Sequence, residues 1–182
     1  MARKILIGII SVIVLFLVIG FFLPSKWTVE RSVMIEAPPE SIYPLVANLK
    51  EGWAQWSDFD YQDPDIKYSY TGPEIGVGAS RSWVSPKMGN GTQTITKADP
   101  AKGVEFDFVM DNQFFVVGEM SFVPEGTSTK VTWKDSGDVG FNPLMRYMVL
   151  FMDKMMGPSF EKSLQTLKQK TEATPQSVPA ED

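Results

Sequence analysis

Residues 5–23 form an apolar run interrupted by nothing more polar than Ser11 and glycines, and no other stretch leaves the chain so little freedom. At 1.5 Å per residue a helix of that length covers about 28 Å, close to the ~30 Å hydrocarbon core of a bilayer. In lipid every backbone N–H and C=O needs an internal partner, which an isolated segment supplies only as a helix. With no polar face, the run does not suit a half-solvated surface helix. A cleaved secretory signal would need small residues at its cutting site, where this chain has Phe21, Phe22, Leu23 and Pro24. The sequence therefore predicts an uncleaved, single-pass signal-anchor. Arg3 and Lys4 precede it and only Lys26 follows closely, so the positive-inside bias puts residues 1–4 in the cytoplasm. The remainder is expected outside a cell membrane of bacterial type, with Trp27 in the outer aromatic belt.

Residues 27–170 suit one domain with a real core. The formal charge is −5 with both signs interspersed, and no Lys/Arg cluster interleaves with aromatics, which argues against a nucleic-acid partner. With no cysteine, the chain is silent on its redox compartment. Residues 171–182 are rich in Pro, Thr, Ser, Ala and acids without apolar periodicity, and are expected to form a disordered tail.

Between these limits the pattern reads as strand, two short helical segments, six strands and one long helix. Residues 27–36 alternate, with Val29, Val33 and Ile35 on one side and Ser32 and Met34 on the other. Pro38 and Pro39 open a short helix carrying Ile42, Leu45, Val46 and Leu49 on one face, bent or shortened by Pro44. Trp53 and Trp56 follow in a second short segment, ahead of a loop containing Asp58, Asp60, Asp63 and Asp65. Strands are predicted over 66–71, 77–84, 92–97, 104–110, 114–123 and 127–134, with turns at Gly89-Asn90-Gly91, Asp111-Asn112 and Glu125-Gly126. The Asn90 sequon reads as turn chemistry rather than as a glycosylation site. Residues 142–170 repeat apolar positions at three- and four-residue steps, with a kink expected at Gly157-Pro158. The expected fold class is α+β: a seven-stranded antiparallel sheet curled around that terminal helix, leaving a cavity between them.

This order of elements comes with Ile35-Glu36-Ala37-Pro38-Pro39-Glu40, Trp53, Trp56-Ser57, and Gly76-Val77-Gly78-Ala79 leading to Trp83. Thr129-Lys130-Val131-Thr132-Trp133, Met152-Asp153-Lys154-Met155-Met156-Gly157 and Phe160-Glu161-Lys162-Ser163-Leu164 complete the set. Together they resemble the SRPBCC superfamily, in its polyketide cyclase and dehydrase-like branch, over residues 27–170. The resemblance implies a helix-grip fold, as in START domains and the birch-pollen allergen. It also implies a cavity for lipids, sterols, polyketides or other apolar molecules, in which some members catalyse cyclisation, dehydration or hydrolysis.

The residues narrow the chemistry further. With neither histidine nor cysteine, triads, thiolates and imidazole- or sulfur-based metal sites are excluded. The acidic loop lacks the central glycine and closing glutamate of a calcium-binding loop and reads as solvated; no metal and no cofactor is expected. Strand parity turns Glu105, Asp107 and Glu119 outward, giving the cavity apolar walls and no acid. Arg81 and Gln93 share the inner face, where Arg81 is expected to reach water at the mouth rather than lie buried with a partner. Nothing singles out Tyr43, Tyr68, Tyr70 or Tyr147 as a proton donor. The candidate cavity lining is Trp53, Trp56, Arg81, Trp83, Gln93, Phe106, Phe108, Met120, Phe122, Trp133, Met148, Met152 and Met155, with no catalytic residue among them. The preferred expectation is a membrane-anchored domain binding a lipid or other small hydrophobic ligand, leaning away from an enzyme. A polyketide cyclase/dehydrase-like enzyme and a tethered protein-interaction or chaperone-like domain are the alternatives; a protein partner is not specified.

Overall fold

Seven strands in the order β1-β7-β6-β5-β4-β3-β2 make one antiparallel sheet, so the first and last strands meet and the rest form a meander. The computed structural model describes residues 2–111 and 113–173. The chain enters through α1 (Ala2–Phe22) and passes directly into β1 (Lys26–Ile35), which pairs with β7 (Ser128–Asp138) from Lys26↔Asp138 to Ile35↔Thr129. Then come α2 (Pro39–Ala47), two 3-10 turns at Trp53–Gln55 and Asp58–Tyr61, and the strands β2 (Lys67–Thr71), β3 (Ser80–Ser85), β4 (Gly89–Asp99), β5 (Gly103–Met110) and β6 (Phe114–Glu125). Two helices close the chain, α3 (Pro143–Val149) and α4 (Met152–Ala173).

β1 alternates as its sequence dictates: Trp27, Val29, Val33 and Ile35 are buried, Arg31 shares their face half-buried, and Thr28, Glu30, Ser32 and Met34 face outward. Phe160, Leu164 and Leu167 of α4 close over this face, and Phe160 stacks on Trp133 with ring centroids 4.1 Å apart. Trp53 and Trp56 fill the centre, anchored by indole N–H bonds to the carbonyls of Val46 and Leu45 at the end of α2. Two glycines make room for flat rings. Trp83 lies over Gly91 and Phe106 over Gly118, where an added Cβ would fall 2.1 Å and 1.9 Å from ring carbons. Outside the core, Arg31 reaches across Gly157 of α4 to Asp153 and Glu161 at 2.7 and 2.6 Å.

Several expectations change. Residues 77–79 are not strand, because Gly72, Gly76 and Gly78 adopt positive φ and hold the segment in turns until Ser80. The turn expected at Gly89-Asn90-Gly91 lies at residues 86–88, and those three residues pair within β4. Asp111 adopts φ 48°, and its turn partner Asn112 lies outside the described residues. The long terminal helix breaks at Leu150 and Phe151, whereas α4 runs unbroken through Gly157 and Pro158. Residues 171–173 belong to α4, and 174–182 of the expected tail lie outside the described residues. Trp27 is 8 % exposed, its ring against Gly137, so it is a core residue and not a belt residue.

Candidate functional site

Trp53, Trp83, Phe108, Val116 and Trp133 wall a pocket of about 120 Å³, closed on one side by Met156 of α4 and on another by Phe59 and Tyr68. Its polar groups fall into two sets. The first is centred on Arg81, which is 4 % exposed. Antiparallel pairing sets Arg81 opposite Gln93, whose Oε1 accepts from Arg81 Nε at 2.7 Å. Arg81 Nη1 donates to both oxygens of Asp60 at 3.0 Å, and the hydroxyl of Tyr68 donates to Asp60 Oδ1 at 2.9 Å. The guanidinium also lies over the Trp53 ring, 4.8 Å from its centroid. Burial, followed by the nearby charge of Asp60, pushes the Tyr68 phenol well above its ordinary range.

Arg81 therefore does not snorkel, because the acidic loop curls in and brings it a counter-charge. Nor is that loop simply solvated. Asp60 pairs with Arg81, and Asp63 is buried, accepting the Ser85 hydroxyl at 2.5 Å. Burial would raise the Asp58 carboxyl, but hydrogen bonds from Lys162, Gln62 and Ser159 outweigh it and hold it below its ordinary range.

The second polar group is Asp135, 2 % exposed on the pocket wall. Among the described residues the one hydrogen bond to its carboxylate comes from the Trp133 indole N–H, at 2.9 Å to Oδ1. Burial among apolar groups pushes its carboxyl up to about 7, with the Trp133 bond pulling the other way. The pocket thus holds an internal acid, contrary to the expectation of apolar walls alone. The signal was present in the parity: Val131 and Trp133 point inward, and β7 continues past Lys134, so Asp135 points inward too. Another wall residue, Trp83, carries an indole N–H that is buried without an acceptor among the described residues.

Of the sequence-derived lining, Trp53, Arg81, Trp83, Phe108 and Trp133 meet at the pocket. Trp56, Gln93, Phe106, Met120 and Phe122 lie behind it as buried core, since the aromatic rings interlock and leave only part of the expected space. Met148 and Met155 do not line the pocket; both are exposed, Met148 on α3, which the break at Leu150 and Phe151 separates from α4, and Met155 in the first turn of α4. Met152 borders a second hollow of about 260 Å³ with Trp27, Phe114, Phe115 and Met145. Met110, Val116 and Met156 belong to both hollows and divide them. Sequence reasoning missed Phe59, Asp60, Ile66, Tyr68, Met88, Met110, Val116, Asp135 and Met156 as parts of the pocket wall. Phe59 and Asp60 sit in an irregular segment with no periodicity to orient them. Among the described residues no group of acids is arranged to hold a metal ion.

Solved structures share this architecture. The chain is similar to a Chromobacterium violaceum protein at 13 % identity, covering 81 % of this chain and 98 % of the other with a TM-score of 0.58. The ZhuI aromatase/cyclase from a Streptomyces species aligns at 16 % identity over 81 % of this chain and 94 % of its own, with a TM-score of 0.57. Ara h 8.0201 aligns at 9 % identity over 82 % and 99 %, with a TM-score of 0.55. These likenesses establish the helix-grip fold. No curated protein matches the chain. The profile of the family described as polyketide cyclase / dehydrase and lipid transport matches residues 26–172, from the first residue of β1 almost to the end of α4, and the chain belongs to that family.

Proposed function

We propose that this chain holds a small apolar molecule, carrying one hydrogen-bonding group, in a pocket tethered beside a bilayer by residues 5–23. The observation that carries the reading is the pocket's composition: aromatic and Met walls around Asp135, whose neutral carboxyl donates to a ligand carbonyl or hydroxyl. The unpartnered Trp83 N–H is a second donor for the same ligand. Size selects a ring rather than a long chain. About 120 Å³ approaches the roughly 150 Å³ cavity that admits benzene and falls below the ~300 Å³ of ordinary ligand sites. A longer apolar tail fits if Met156 swings aside and joins the pocket to the outer hollow. Anchoring raises the local concentration of any ligand that partitions into lipid. Arg3 and Lys4 favour a cytoplasmic N-terminus with the domain on the opposite side.

The test is native mass spectrometry of the full chain released from lipid nanodiscs, wild type against Met156→Trp. A small-molecule adduct on wild type that is lost from the variant supports the reading. An adduct equally present on both, or absent from both even after saturation with phenol, contradicts it.

A second reading, catalysis on the bound molecule, is favoured by Asp135 alone. A buried acid protonated near neutrality suits protonation of a carbonyl or a departing hydroxyl. Under that reading Asp135→Asn removes turnover while ligand binding persists.

A further inference from the structure

The apolar helix α1 is exposed along nearly its whole length, with Gly20 as its buried residue. Pro143 occupies the space there, since a Cβ on Gly20 would fall 2.7 Å from the Pro143 carbonyl oxygen. Tyr147 stacks on Phe16 with ring centroids 4.1 Å apart and planes within 3°, and its hydroxyl donates to the Phe16 carbonyl at 2.7 Å. Arg146 Nη1 donates to the carbonyls of Phe21 and Leu23 at 2.5 and 3.2 Å, supplying donors to a helix end that has no further amides of its own. α3 thus runs back alongside the last turns of α1.

The depth follows from the helix rise. Phe16 stands six residues before Phe22, about 9 Å along the axis. Helices that lie in a membrane interface sit roughly 5–10 Å into the boundary. None of the residues of α3 is buried, and Phe141, Leu144, Met148, Leu150, Phe151 and Met155 present large apolar side chains outward around it. We propose that this face, from Phe141 to Met155, lies in the bilayer leaflet nearest the domain, as a second membrane contact beside the spanning helix. The occupant is lipid because the face is continuous with a helix that itself needs lipid; the proposal rests on the reading of α1 as a membrane span.

The sheet register fixes what such a contact would orient. Val116 pairs with Gly137, which pairs with Trp27 next to the start of β1, so Phe114 and Phe115 belong to the membrane-proximal end of the sheet. The outer hollow, lined by those two residues with Trp27 and Met145, then opens at lipid level. Val123 pairs with Lys130, opposite Met34, eight residues along β1 from Lys26 and about 26 Å away.

The chain has no cysteine, so single spin labels can be placed without background. Leu144→Cys, Phe151→Cys, Val12→Cys in α1 and Val123→Cys are labelled in the full chain reconstituted into phosphatidylcholine/phosphatidylglycerol vesicles. Their accessibility to oxygen and to a water-soluble nickel chelate is then compared. The expected result is an oxygen-favouring ratio at Leu144 and Phe151 like that at Val12, with Val123 reporting water. If Leu144 and Phe151 report water while Val12 reports lipid, the span stands and this proposal falls. If Val12 also reports water, the anchor itself is refuted, and the proposal with it. Dipolar broadening between copies at Leu144 and Phe151, without oxygen preference, would show that a second copy covers the face and would likewise overturn it.

Discussion

Replacing Asp135 by asparagine isolates the cost of one buried charge. In the folded protein the Asp135 carboxyl is raised to about 7 by burial, against about 3.9 in an unfolded chain. Between those two values the folded state holds a proton that the unfolded state has released. Stability from this group is therefore full below about pH 4, falls as pH rises toward about 7, and is constant above that. A difference of about three pH units corresponds to roughly 4 kcal/mol. Asparagine has nearly the same shape, keeps an oxygen for the Trp133 N–H, and carries no charge. Asp135→Asn and wild type are thus expected to differ little near pH 4 and to diverge as pH rises, the variant being the more stable by up to about 4 kcal/mol at pH 8. For a chain of this size that is roughly 8–16 °C in Tm. Thermal unfolding followed by near-UV circular dichroism across pH 4–8, both proteins in the same detergent, reads the divergence directly. Other carboxylates held low, such as Asp153 beside Arg31, affect both proteins alike and cancel in the comparison. Parallel Tm profiles across this range would show that the carboxyl is solvated and would remove the basis for an internal acid.

Two further substitutions probe the arrangement around the pocket. Asp60→Ala strands the buried Arg81 charge among aromatic rings and is expected to cost about 3–5 kcal/mol in chemical denaturation, largely recovered in the Asp60→Leu/Arg81→Met double variant; a loss under about 1 kcal/mol would mean that Arg81 reaches water. Gly157→Ala places a Cβ on the Arg31 guanidinium, so the bridges to Asp153 and Glu161 should loosen; those carboxylates are exposed, so their loss is offset by the roughly 1 kcal/mol of helix propensity gained, and stability should stay within about 1 kcal/mol while losing salt dependence.

The sheet was legible because its strands alternate cleanly: β1, β5 and β6 face as Val29, Phe106 and Met120 predict. The failures share a physical origin. Apolar periodicity marks a helix face to be covered without saying what covers it. Met148 and Met155 therefore read as cavity residues, although both are exposed, Met148 on α3 before the break at Leu150 and Phe151 and Met155 in the first turn of α4. Arg81 was placed on the correct face, but its partner comes from a 3-10 turn 21 residues earlier, a tertiary contact with no local signature. Asp135 lies one residue beyond the predicted strand end at Lys134, so the predicted alternation that turns Val131 and Trp133 inward does not extend to it. Cavity volume is the least legible quantity, because the same aromatic residues either leave a hollow or interlock, and here they do mostly the latter.

A ring-sized apolar ligand is expected to enter the inner pocket between Trp53, Trp83 and Trp133. The five tryptophans of this chain make it directly measurable by fluorine NMR of protein labelled with 5-fluorotryptophan. On titration with phenol, the resonances of Trp53, Trp83 and Trp133 are expected to shift saturably, those of Trp27 and Trp56 much less. Shifts confined to Trp27 would place the ligand in the other hollow, and no saturable shift at any position would show that none binds; either result refutes binding in the inner pocket.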